Sequence, residues 1–272
     1  MRPATWIQRC LVITALFGNA MAQDAVVSPD GVRSVELQRC GDVPRCKLQM
    51  IVRSTLGPPS SVRRIALPAA CDDQISFTWL STRIVEMECH INPSVGAYQE
   101  VDAVTGKMFN SALGSGFTRS PDGHHVANVG WLPHFSPPYQ HSHYLEIDGK
   151  AVYPKPVRRD EELNFAKKAG SLYTDIHEFQ YSWTWSPDSR LVALVDREFD
   201  WQENSTDDTD EEVNERYYLV IAGSGLTPRR VEIDATARKP ELQWVGTDKL
   251  QIVESGKVRT YRLSDFSEMR QK

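Results

Sequence analysis

The chain has 272 residues, 40% hydrophobic, 25% charged and 9% aromatic, the composition of an ordinary globular protein. That mixture excludes a disordered acidic chain, a collagen and a multi-span membrane protein. A formal charge of −5 argues against a nucleic-acid binder, which needs basic patches for the phosphate backbone.

Residues 1–22 read as an export signal. Arg2 and Arg9 make a positive start, Cys10–Phe17 is a short apolar core, and Ala20-Met21-Ala22 is the small-x-small pattern of a cleavage site. The apolar run is too short for a transmembrane helix, which needs about 20 residues. Ile7-Gln8-Arg9 before Cys10 does not fit a lipid anchor. Cleavage after Ala22 leaves 250 residues and, with two arginines removed, a charge of −7. No second apolar stretch follows, so the expected product is soluble, exported and without a membrane span.

The mature chain keeps four cysteines, Cys40, Cys46, Cys71 and Cys89. An even number in an oxidising compartment suggests two disulfides, with three possible pairings. Cys40 and Cys46 flank the turn-rich Gly41–Arg45 and would face each other across a hairpin. Cys71 and Cys89 flank another hairpin centred near Ser81, with residue 89 opposite about residue 73. Five residues between the first pair do not match zinc-ligand spacing.

One phrase recurs along the chain. Ser28-Pro29-Asp30-Gly31, Ser120-Pro121-Asp122-Gly123 and Trp185-Ser186-Pro187-Asp188-Ser189 each precede an alternating apolar run, and degenerate copies begin at Trp79 and Trp244. Pro presets φ, Asp caps the turn, and Gly or Ser takes the positive dihedral, so each phrase predicts a hairpin. The Trp ends one strand and packs between neighbouring sheets, and the run after it is the next strand. Third strands read at 97–102, 143–148, 217–222 and 258–263. Fourth strands read at 62–67, 107–109, 151–153 and 229–233. Four antiparallel strands per repeat make a propeller blade.

The W-S-P-D-G phrase with its alternating strand resembles the WD-like repeat of TolB-type β-propellers, which also occurs in the propellers of some exported peptidases. The motif match is carried by Ser28–Gly31, Ser120–Gly123 and Trp185–Ser189. It specifies a blade and no catalytic residue. The resemblance covers the propeller alone, since the first repeat begins six residues after the cleavage site. The expected fold is all-β: about five four-stranded blades of some 50 residues each, closed by pairing Asp24–Val27 with the last blade. The resemblance places the protein in the periplasm.

Function is expected in the connections between strands. Five of the seven histidines lie between His124 and His143. His141 and His143 share a strand face, and His134 stands in a Pro- and aromatic-rich loop that could fold towards them. With a carboxylate such as Glu146 these are a candidate transition-metal set. Arg158–Gly170 reads as a short inserted helix, acidic at its start, basic at its end and closed by Gly170. Asp196–Glu215 extends a hairpin and holds ten acidic residues with Arg197 as its one base. Asp200, Trp201, Asp207, Asp208, Asp210, Glu211 and Glu212 are the candidate contacts with a basic protein partner. The acids lack the spacing of an EF-type calcium loop.

The chain has no G-x-S-x-G elbow, P-loop or G-x-G-x-x-G motif. The expected function is therefore an exported, non-catalytic, monomeric propeller that binds a protein, with an inhibitor or immunity role through the acidic arm as its specific form. No cofactor is expected. The alternative is a metal-binding or hydrolytic enzyme, or a small-molecule binder, built on the His124–His143 region.

Overall fold

A computed structural model describes residues 25–38, 48–56, 61–67, 71, 74–92, 95–130, 142–155, 172–202, 211–233, 240–254, 257–264 and 268–269. The signal segment, Cys40 and Cys46, the expected helix at 158–170, and Asp207, Asp208 and Asp210 lie outside these residues. Among the described residues no helix is long and apolar enough to cross a membrane.

The described residues form antiparallel sheets only. The first sheet orders β1 (Val26–Val27), β2 (Arg33–Gln38), β3 (Gln49–Ser54) and β4 (Val62–Ala66) as a meander. The second has seven strands: β5 (Ile75–Trp79), β6 (Ile84–Asn92), β7 (Val95–Asp102), β8 (Met108–Arg119), β9 (Val126–Gly130), β10 (Tyr144–Ile147) and β11 (Lys150–Tyr153). The third comprises β12 (Leu172–Trp185), β13 (Val192–Gln202), β14 (Glu211–Ala222) and β15 (Arg229–Ile233). The fourth comprises β16 (Glu241–Val245), β17 (Lys249–Glu254), β18 (Lys257–Arg262) and β19 (Glu268–Met269).

The seven-stranded sheet is two meanders sharing β8. The strand pairs with β7 from Met108 to Gly114 and with β9 from Ser115 to Arg119. Gly114 makes the crossing possible. Its φ is +144°, and a Cβ there would stand 2.0 Å from the Val129 carbonyl oxygen.

All five recurring phrases sit between the first and second strands of a meander. In each full copy the Ser hydroxyl donates to the Asp carboxylate at 2.6 Å, at Ser28–Asp30, Ser120–Asp122 and Ser186–Asp188. The same hydroxyl accepts the N–H of the first residue past the turn. The Ser28 and Ser120 hydroxyls hold the carboxyls of Asp30 and Asp122 below their usual range. Gly31 and Gly123 take positive φ, where a Cβ would strain the backbone. Ser189 takes φ +61° instead, and its hydroxyl accepts the Asp122 N–H at 2.9 Å, tying its turn to the preceding meander's.

The tryptophans link neighbours by a repeated bond. Trp79, Trp185 and Trp244 donate their indole N–H groups to the carbonyls of Val26, Thr118 and Thr184. In the full copies, these acceptors lie two residues before the phrase's Ser. The first strands of successive meanders pack together accordingly: β1 on β5, β8 on β12, β12 on β16. Apolar cores fill the gaps. One joins Val35, Met50 and Ile65 to Phe77, Val85 and Met87, a second joins Leu145 and Ile147 to Phe179 and Leu194, and a third joins Val195 and Leu219 to Leu250 and Ile252. On β8 the position of the Trp is held by Arg119, which donates to the fully buried Glu100 at 2.9 Å.

Two expectations need correction. Val26–Val27 pairs with β2 inside its own sheet, and the last sheet ends on its own β19. The turn phrase directly after Val27 folds the chain back before it can reach the last sheet. Cys71 and Cys89 do form a disulfide, with Cα atoms 5.6 Å apart, but Cys89 lies opposite Ile75 rather than residue 73. The hairpin turn is centred nearer residue 82 than 81, which shifts the register.

Candidate functional site

The acidic arm is a built structure. β12, β13 and β14 run on past the end of β15, whose pairing stops at Tyr217–Ile221, and continue to the Gln202–Glu211 rung. Tyr173, Ile176 and Phe199 form a small buried core in this extension, with the half-buried Trp201 against it.

The acids divide by strand face. Asp196, Glu198 and Asp200 alternate on β13, so all three point to one side, and all three are buried. Asp196 Oδ2 lies 2.7 Å from His177 Nδ1 and accepts the Tyr153 hydroxyl at 2.7 Å. Burial of Tyr153, reinforced by the Asp196 charge, raises its phenol well above the usual range. Glu198 takes Arg216 at 2.8 Å and Arg230 at 2.6 Å, and the Arg230 guanidinium lies over the Tyr218 ring. Asp200 accepts from the Asn214 amide at 2.8 Å. On the other face, Arg197 gathers Glu178, Glu212 and Glu215.

Such pairing is what burial requires, because an unpaired carboxylate loses far more hydration than packing returns. Asp200 is held inside the arm by the Asn214 amide, and Glu212 is tied to Arg197. Glu211 and Glu212 are exposed at the described end of the arm.

Of the candidate metal ligands, His134 and His141 lie outside the described residues. His143 is buried, and its Nδ1 accepts the Phe179 N–H at 2.9 Å, which removes that nitrogen from metal ligation. Glu146 accepts from the Asn128 amide at 3.0 Å. The structure instead groups His177, Asp196 and Glu198, whose possible ligand atoms lie within 4.8 Å of one another. Asp196 Oδ1 is buried and has no hydrogen-bond partner among the described residues. Two guanidiniums on Glu198 already supply the charge a cation would bring.

Sequence reasoning missed His177, Tyr153, Arg216 and Arg230. The available signal was the alternation Leu194, Asp196, Glu198, Asp200 directly after a fully apolar strand start. A period of two on a strand puts acids and a core leucine on the same face, which fits a buried, paired row better than a solvated loop.

No family model matches the chain, and no curated protein matches it. Solved structures do. TolB from Acinetobacter baumannii is similar over 91% of this chain and 53% of its own, at 10% identity and a TM-score of 0.33. The β-propeller domain of the trilobed protease from Pyrococcus furiosus is similar over 88% of this chain and 67% of its own, at 14% identity and a TM-score of 0.33. A prolyl endopeptidase is similar over 92% of this chain and 42% of its own, at 11% identity and a TM-score of 0.31. The chain thus spans about half the length of the TolB chain it matches.

Proposed function

We propose that the chain is a five-bladed β-propeller exported to the periplasm, which binds a protein partner as a monomer and catalyses no reaction. The five meanders with their repeated turn and indole link are the blades in this reading, with β8 serving two of them. The observation that carries the binding function is the extended β12–β14 arm. It has its own core, its inner acids are bonded within it, and it carries the exposed Glu211 beyond the end of β15, next in sequence to the acidic residues 203–210. A strand-paired arm with its own core loses less entropy on docking than an unpacked loop, and its acidic end would steer a basic partner. An inhibitor or immunity protein is the specific form: the arm covers a basic cleft on a toxin or enzyme.

The test spares the buried acids. Asp207, Asp208 and Asp210 become Asn and Glu211 becomes Gln, and affinity is measured for the partner captured from periplasmic extract. A loss of about tenfold, or 1.4 kcal/mol, is expected at low salt, shrinking as salt screens the charges. Unchanged affinity would remove the arm from the account.

One observation favours a second reading as a metal-dependent protein, namely the His177, Asp196 and Glu198 grouping with its partnerless Asp196 Oδ1. In that reading the site lies beside His143 rather than on it, since the His143 N–H bonds the His177 carbonyl at 2.8 Å. Elemental analysis of dialysed protein decides it: one bound metal ion per chain supports the reading, and none removes it.

A further inference from the structure

Carboxylates taken out of water in this protein are met by donors. Arginines reach Glu36, Glu100, Asp102 and Glu178. The Asn128 amide reaches Glu146, and the Tyr98 hydroxyl reaches Glu86 at 3.2 Å. Asp196, Glu198 and Asp200 are bonded inside the arm. Glu88 departs from that rule. It is half-buried, yet it has neither a hydrogen bond nor an ion pair among the described residues.

Glu88 lines a cavity of about 450 Å³ built on β5 to β8. Glu86, Glu88 and His90 alternate on β6 and point away from the first core, because Val85, Met87 and Cys89 point into it. Ser76 on β5 and Tyr98 on β7 flank Glu88 in register, and Gly96 and then Gly114 follow beside His90. Two glycines in a row leave the side-chain layer open there. The Phe117 ring closes that gap. One of its carbons lies 3.6 Å from where a Gly96 Cβ would stand, and the ring leans on Tyr98 with centroids 5.4 Å apart.

No lysine or arginine is among the walls, and Glu88 is their one free carboxylate. Arg119 reaches the same face but donates to Glu100 at 2.9 Å. His90 is the other titratable wall, and Gln74, Ser76 and Ser115 are polar and uncharged. A desolvated carboxylate without a donor gains from a cation that hydrogen-bonds to it. An aromatic ring favours a cation or a flat apolar group. A bare divalent ion would need several ligand oxygens, more than one carboxylate supplies.

We propose that this cavity binds a small primary ammonium ion with an apolar body. The ammonium donates to Glu88, and the body lies along Phe117 in the gap left by Gly96 and Gly114. The size and the mixture of walls suit a small ligand. The cavity is separate from the acidic arm on β12 to β14, and the inference does not rest on the partner-binding reading.

The experiment titrates the full chain with 2-phenylethylamine, 2-phenylethanol and calcium chloride at about pH 8, where a carboxylate is ionised and the amine still protonated. Binding is followed by calorimetry and by amide shifts. The amine is expected to bind, with shifts at Glu88, His90, Gly96 and Phe117. The alcohol keeps the ring and lacks the charge, and is expected to bind at least about tenfold more weakly. Glu88→Gln removes a charge that has no partner in the fold. It is expected to melt no lower than the parent while weakening the amine about tenfold and leaving the alcohol unchanged. A purely structural Glu88 would not separate those readouts. Phe117→Leu is expected to weaken amine and alcohol alike. No binding of the amine at millimolar concentration overturns the proposal. So do equal binding of amine and alcohol, binding of calcium in place of the amine, an unchanged amine affinity in Glu88→Gln, or shifts confined to other residues.

Discussion

Asp196 shows how much one buried side chain holds together. Its carboxylate takes a phenol from β11 and an imidazole from β12, so it joins three strands of two sheets. Asp196→Ala leaves two buried polar groups without an acceptor. A loss of about 2–4 kcal/mol is expected in urea unfolding. Glu88 gives the opposite case, a half-buried carboxyl with little support. Burial first, and the nearby Glu86 charge second, push its carboxyl above the usual range. A folded value above the unfolded one means the folded state favours the proton. The contribution of protonated Glu88 is full below the unfolded value and is lost as pH rises through the folded one. Glu88→Gln stays neutral throughout. Its melting temperature should match the parent's near pH 4 and exceed it by about 1–3 °C at pH 7. Residues of this kind were the least legible in the sequence. The count of ten acids between 196 and 215 was visible, but which of them are buried depends on Tyr153, His177 and Arg230, far away in the chain.

Elements were far more legible. Ser-Pro-Asp-Gly forces a local turn through bonds within a few residues, so the hairpins and nearly all the strands could be placed by reading along the chain. Registers were harder, because one residue of turn geometry moves a whole strand, as Cys89 opposite Ile75 shows. The sharing of β8 left only a faint trace, the glycines of Leu113-Gly114-Ser115-Gly116. Gly114 is the element's hinge, and Gly114→Ala would drive a methyl group into the Val129 carbonyl. The expected cost exceeds about 3 kcal/mol, read as loss of soluble, cooperatively melting protein. Gly149→Ala is the control. It also has positive φ, but its nearest neighbour is 3.9 Å away, so a cost of about 1 kcal/mol is expected from the backbone alone.

At the scale of the molecule, neighbours are joined by a rule the sequence announced only in part. The tryptophans were expected between sheets, and their indole bonds to a fixed carbonyl of the preceding meander could not be read from spacing. Replacing Trp79, Trp185 and Trp244 singly by Phe keeps most of the packing and removes one bond. Each should cost about 1–2 kcal/mol. The three sites are far apart in the chain and share no partner, so the triple variant should sum the single losses, measured by chemical denaturation.

The shared strand has a consequence for how the chain can be divided. Most neighbouring meanders share no strand, so a backbone cut in a connecting turn would leave every sheet whole. The second and third are different, because a cut between Gly114 and Ser115 severs a strand that both need. These two form one indivisible block of seven strands. A gene that grew by copying one meander at a time would have had to copy or lose these two together.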